Sequence, residues 1–299
     1  MMKKRHFIYI CLILLALPSC SNKMQHADME EGWSNMEVIL ESIQAPSFPD
    51  RQFLITDYGA VSNGSICTDA FHKAIKACNE SGGGQVIVPK GTFVSGAIRL
   101  LSNVELHLSE GATILFSTDP RDYLPVVHTR YEGSELYNYS PLIYAYQEES
   151  IAVTGQGVLD GQASMENWWK WAKGAAKKKD NLQNNPNSIP RLLELAASAV
   201  PVEERIFGEG SYLRSSFIQP YKCKNILIEG VTMKRPPMWM IHPVLSENIT
   251  VRGVTLHSPD APNGDGCDPE ACKNVLIEDC EFNTGDDCIA IKSGRNREG

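Results

Sequence analysis

The chain lacks any extended basic tract beyond its extreme N-terminus, and its formal net charge over 299 residues is −8. A surface of that sign repels a phosphate backbone, which argues against nucleic acid as the main partner. It also lacks an apolar run of the roughly 20 residues that a membrane-spanning helix needs. Nine cysteines are present, but their spacing matches no zinc-ligand pattern. Cys11 and Cys20 fall in an N-terminal targeting segment. The others, Cys67, Cys78, Cys223, Cys267, Cys272, Cys280 and Cys288, are odd in number, so they cannot all pair within one chain. One disulfide is compatible with an oxidising compartment. Several of these cysteines border β-branched runs, where a small thiol packs well, and buried free thiols are expected.

Lys3, Lys4 and Arg5 precede the apolar run Phe7–Leu17, the order found in export signals. Leu17-Pro18-Ser19-Cys20 resembles a bacterial lipoprotein lipobox, which implies lipidation of Cys20. The expected organisation is a lipoprotein-type signal peptide over 1–20, a tether over 21–50 and one folded domain over 51–299. The expected location is the periplasm or outer membrane of a Gram-negative-type bacterium, with membrane contact through the lipid on Cys20.

The folded part repeats itself. Asn225-Ile226-Leu227-Ile228-Glu229, Asn248-Ile249-Thr250-Val251-Arg252 and Asn274-Val275-Leu276-Ile277-Glu278 are versions of one unit, spaced 23 and 26 residues apart. A period in the twenties, made of short β-branched strands with Asn and Gly at corners, marks a solenoid. Leucine-rich repeats have a similar period, but their Leu lattice and helical segments are missing. The fold class expected is all-β, a parallel β-helix whose coils bury alternate side chains. Phe71, Ala74, Ile75 and Cys78 recur at helical spacing and predict an amphipathic helix capping the N-terminal end of the stack. Residues 162 to 214 break the β pattern and predict a helical insert containing Trp168, Trp169, Trp171 and Lys177 to Lys179. It reads either as a surface excursion or as a groove flank, where aromatic faces stack on sugars and Lys pairs with acidic sugars.

The chemistry concentrates near the last coils. Asn263-Gly264-Asp265-Gly266-Cys267-Asp268 and Gly285-Asp286-Asp287-Cys288 stand about one repeat apart. On stacked coils about 4.8 Å apart, Asp265, Asp286 and Asp287 would share one spot. Carboxylates that close cannot ionise independently, so at least one must hold its proton more tightly. A carboxylic acid beside a carboxylate is what glycoside hydrolysis requires. The bland alternative is a set of Asx-type corner residues, which is also the reading for Asp268.

With Asp57-Tyr58-Gly59-Ala60, Gly82 through Gly91, Leu159-Asp160-Gly161, Pro237-Met238-Trp239 and the two acidic motifs, the sequence resembles glycoside hydrolase family 28, the polygalacturonases, particularly bacterial exo-acting members. The resemblance implies a right-handed, pectin lyase-like β-helix that hydrolyses α-1,4-galacturonosyl linkages with inversion. By position, Asp286 is the implied general acid, and Asp265 with Asp287 the pair that activates water. No metal, cofactor or covalent intermediate is implied. The implied partner is a pectic polysaccharide or oligogalacturonide, taken by a monomer. Asn263, His242, Lys292 and Arg130 are the candidate substrate-binding residues. Gly264 stands where the family pattern has Thr, which keeps both functional neighbours. The family's later Gly-His-Gly and Arg-x-Lys motifs do not occur in these 299 residues, so the natural chain is expected to continue past Gly299.

Two rival readings remain at this stage. A calcium-dependent lyase on the same kind of solenoid would also cluster carboxylates. A β-helix that binds pectic oligosaccharide without cleaving it is the other. Between endo and exo action, the insert favours exo.

Overall fold

The computed structural model describes residues 32, 33, 35–172 and 188–299. Cys20 and Lys177 to Lys179 lie outside the described residues. The chain divides into an N-terminal unit ending at Glu41 and a body, Ser42–Gly299. In the first, residues 35–41 are helical. No described helix is long and apolar enough to cross a membrane.

Three parallel sheets run along the body. One has seven strands, from Gln52–Leu54 to Lys273–Glu278; a second has six, from Gly91–Ser95 to Glu281–Thr284. The third contains Ile98–Arg99, Ile143–Tyr146 and Ile218–Tyr221 and is extended by isolated bridges through Ile241, Cys267 and Ile289. Each coil contributes one segment to each sheet, and the coils wind right-handed, as parallel crossovers do. The reason is legible in side-chain alternation. Val86, Leu106, Val153, Ile228, Val251 and Ile277 form one inward column, each in register with the next. Phe93, Ile114, Leu159, Met233, Leu256 and Phe282 form another. Burying each such side chain contributes about 1.5–3 kcal/mol.

At the corners, Asn225, Asn248 and Asn274 adopt left-handed backbone with φ of 54°, 55° and 56°. Their side chains form a ladder: Asn274 Nδ2 donates to Asn248 Oδ1 at 3.1 Å, and Asn248 Nδ2 donates to Asn225 Oδ1 at 3.2 Å. Asn tolerates this conformation and supplies both a donor and an acceptor, so it can repeat coil after coil. The helix Thr68–Glu80 buries Ala70, Phe71, Ala74, Ile75 and Cys78 against the first strands. The seven cysteines from Cys67 to Cys288 are free thiols.

Two excursions leave the coils. The antiparallel hairpin Val127–Tyr131 with Ser134–Asn138 lies over the outer face of the third sheet. The second carries the helix Ser188–Ala197. Trp168 and Trp171, placed by one sequence reading at a groove, are instead buried in an aromatic cluster with Tyr123 and Tyr139. Apolar area drives these large rings inward even from an insert.

The hairpin is fastened by a closed circuit of buried polar groups. Thr129 Oγ1 donates to Gln219 Oε1, and Gln219 Nε2 donates to His242 Nδ1 at 2.9 Å. His242 Nε2 donates to Glu270 Oε2 at 2.8 Å, and Arg130 Nη1 donates to Glu270 Oε1 at 2.8 Å. The circuit starts and ends on one hairpin strand. Burial holds His242 toward its neutral form. Burial opposes ionisation of Glu270, but His242 and Arg130 outweigh it and pull its carboxyl below the ordinary range.

Two stability tests follow. Asn248→Ala loses two ladder bonds in a conformation that disfavours Ala, and unfolds in denaturant with about 2–3 kcal/mol less stability. Asn248→Gly keeps the backbone conformation and loses about half as much. Glu270→Gln leaves Arg130 buried without its counter-charge and costs about 3–5 kcal/mol by the same measurement.

Candidate active site

The three aspartates sit on the loops that join the six-stranded sheet to the third sheet. Asp265 follows the strand Thr255–Ser258, and Asp286 and Asp287 follow Glu281–Thr284 one coil later. Backbone pairing sets their stacking: Gly266 N donates to Asp287 O at 2.9 Å and Cys267 N to Cys288 O at 3.0 Å. Carboxylate oxygens of Asp265, Asp286 and Asp287 all come within 4.8 Å of one another.

On a regular strand, adjacent Asp286 and Asp287 would face opposite ways. They sit instead in a bend, where Asp287 N donates to Asp286 Oδ1 at 3.0 Å and Thr284 Oγ1 donates to Asp286 O at 2.8 Å. Gly285 makes that bend possible by close approach: a Cβ there would lie 2.7 Å from the Pro259 carbonyl oxygen. Gly266 is similarly enclosed, its Cβ position lying 2.5 Å from the Phe282 ring.

Asp286 and Asp287 are exposed, whereas Asp265 is 4% exposed and Asp268 is fully buried. Lys292 Nζ lies 3.5 Å from both Asp265 Oδ2 and Asp268 Oδ2, and 4.2 Å from the centre of the Trp239 ring. Burial pushes the Asp265 carboxyl up, opposed by Lys292 and reinforced by Asp286. The Lys292 ammonium gives Asp265 a countercharge within the protein itself.

The structure separates the four candidate substrate contacts. Lys292 is part of the carboxylate cluster, 23% exposed along its side chain. Asn263 lies two residues before Asp265, its Oδ1 accepting from buried Arg214 Nη2 at 2.7 Å. His242 is fully buried and the Arg130 side chain is 4% exposed, both consumed by the circuit under the hairpin. In this structure those two residues fix the groove wall and do not reach its surface. Gln219 and Glu270 were not legible as partners, because only coil register reveals that they stand beside His242.

A cavity of 460 Å³ adjoins Lys292, walled by Trp239, Ser293, Gly294 and the hairpin tip Glu132–Gly133. A larger groove of 620 Å³ lies on the seven-stranded sheet, around Glu105, His107 and Arg252, and contains none of the three aspartates. The lining of the smaller cavity does not include them either, but it includes Lys292, whose ammonium lies 3.5 Å from Asp265, and this contact ties that cavity to the carboxylates.

A profile of glycosyl hydrolases family 28 matches residues 210–297. The chain is 31% identical to a probable polygalacturonase of Vitis vinifera, over 87% of this chain and 48% of that protein. It is 31% identical to the exo-poly-alpha-D-galacturonosidase of Dickeya chrysanthemi, over 82% of this chain and 42% of that protein. The chain thus spans less than half the length of both relatives. The crystal structure of a hyperthermoactive exopolygalacturonase from Thermotoga maritima superposes with a TM-score of 0.86 at 49% identity, covering 89% of this chain and 60% of that one. With the coil, the acidic motifs and their stacking in agreement, this chain belongs to glycosyl hydrolases family 28.

Proposed function

We propose that this protein hydrolyses α-1,4-galacturonosyl linkages of polygalacturonate, removing sugar from chain ends. The observation that carries this reading is the convergence of Asp265, Asp286 and Asp287 within 4.8 Å on two successive coils. Asp286 is the general acid, exposed at the rim where the glycosidic oxygen can reach it. Asp265 and Asp287 together hold the attacking water and take its proton. The local negative charge favours an oxocarbenium-like transition state.

Inversion is the stereochemical course we infer. The closest oxygens are nearer than the roughly 6.5–9.5 Å usual for inverting pairs. Two further carboxylates, Asp265 and Asp287, rather than a single nucleophile, accompany the acid, and a pair is suited to hold water between them. Exo action is supported by the stapled hairpin, which walls the groove beside Gln219, His242 and Glu270. It is also supported by the 49% identity to an exopolygalacturonase. A calcium-dependent lyase is disfavoured because Lys292 already neutralises Asp265. Export, with lipid attached at Cys20, is supported by the charged and apolar order of residues 3 to 20.

Reducing-end release from polygalacturonate tests this directly. Asp286→Asn is expected to lower kcat by about 10²–10⁴ while the parent is unaffected by chelator. Proton NMR of the first product is expected to show the inverted anomer, and viscosity to fall slowly relative to reducing ends. Chelator-sensitive release of an ultraviolet-absorbing product would overturn the hydrolase reading in favour of β-elimination.

A further inference from the structure

Asp268 occupies the position on its coil equivalent to His242 on the coil before, and its backbone N donates to Ile241 O at 2.7 Å. The side chain has no exposed surface, and neither carboxyl oxygen has a hydrogen-bond partner. Its near cation is Lys292, at an ion-pair distance of 3.5 Å that Asp265 shares equally. The other charged or titratable groups around it give no relief. Asp265 on its own coil and Asp287 on the next are like charges. His242 spends both ring nitrogens on Ser216, Gln219 and Glu270. Arg130 of the hairpin is committed to Glu270.

Asp265 and Asp268 therefore share one ammonium, and Asp286 and Asp287 add no countercharge beside Asp265. An unpaired buried carboxylate is far costlier than an unpaired buried carboxylic acid. Of the four, Asp268 is the most enclosed, and neither of its oxygens accepts a hydrogen bond. We propose that Asp268 is a positioning residue that works as a neutral acid beneath the catalytic groove, leaving the charge of Lys292 to Asp265. Burial first, and then the charge of Asp265, push its carboxyl up to about 8. The proton on Asp268 is enclosed and is not delivered to substrate, a role that rests on the proposed function.

The test is Asp268→Asn, which mimics the neutral acid in shape. A carboxyl whose pKa is raised by folding is protonated in the native chain and ionised in the unfolded one between the two values. The parent therefore loses stability as pH rises from about 3.8 to about 8. Thermal unfolding of parent and variant across that range is expected to show no Tm difference at the acid end and an increasing advantage for the variant up to about pH 8. If Asp268 is instead an ionised partner of Lys292, the variant melts lower and its deficit widens with pH, which overturns the proposal.

Turnover of polygalacturonate provides a second readout. Above pH 8, kcat of the parent is expected to fall more steeply than kcat of the variant, by about a further tenfold per pH unit, as the Asp268 proton is lost. Identical slopes would overturn the link between the Asp268 proton and the base. An inactive parent would overturn the hydrolase reading and leave the Asp268 proton to be decided by the melting curves.

Discussion

Neighbouring coils share backbone hydrogen bonds in register, which holds equivalent positions about 4.8 Å apart along the whole body. Everything else follows from that spacing. It aligns Val86, Leu106, Val153, Ile228 and Val251 into a continuous apolar column. It lets Asn225, Asn248 and Asn274 bond one another in a row. It also brings Asp265 over the bend that carries Asp286 and Asp287. A slip of one residue would turn each inward column outward and scatter the carboxylates. Stability and chemistry thus rest on the same constraint.

The site is an electrostatic compromise within that frame. Two acidic side chains, Asp265 and Asp268, share one ammonium, which also lies over the ring of Trp239, and Asp286 and Asp287 crowd Asp265. A cation over an aromatic face keeps favourable contact while partly withdrawn from water. Lys292 can therefore stay beside Asp265 without full solvation. The buried circuit from Thr129 through Gln219, His242 and Glu270 to Arg130 serves the neighbouring groove wall. The Arg130 charge is paired with Glu270, so the circuit fixes the hairpin without leaving a stranded charge.

Much of this was legible before any coordinates. The Asn-headed repeats gave the coil and its period, because a corner that needs left-handed backbone and a lateral hydrogen bond selects Asn each time. The spacing of Asp265 and Asp286 gave the cluster, because one coil separates them. The helix over Thr68–Glu80 followed from apolar spacing. The positions of His242 and Arg130 did not follow. A histidine or arginine near a groove reads the same whether it faces solvent or a buried partner 28 or 140 residues away.

Which residues repeat, how far apart they stand and therefore that a coil would stack its acidic motifs can be read from the order of the amino acids alone. Periodicity is local information, and parallel stacking turns it directly into proximity. Which carboxyls are wet and which are enclosed, where Lys292 divides its charge, and the hairpin stapled along the groove wall all depend on how the coils pack in three dimensions. Burial and countercharge depend on elements far apart in sequence. Asp265 and Asp268 look alike as letters, yet one has an oxygen beside the exposed acid pair and the other is sealed beneath it.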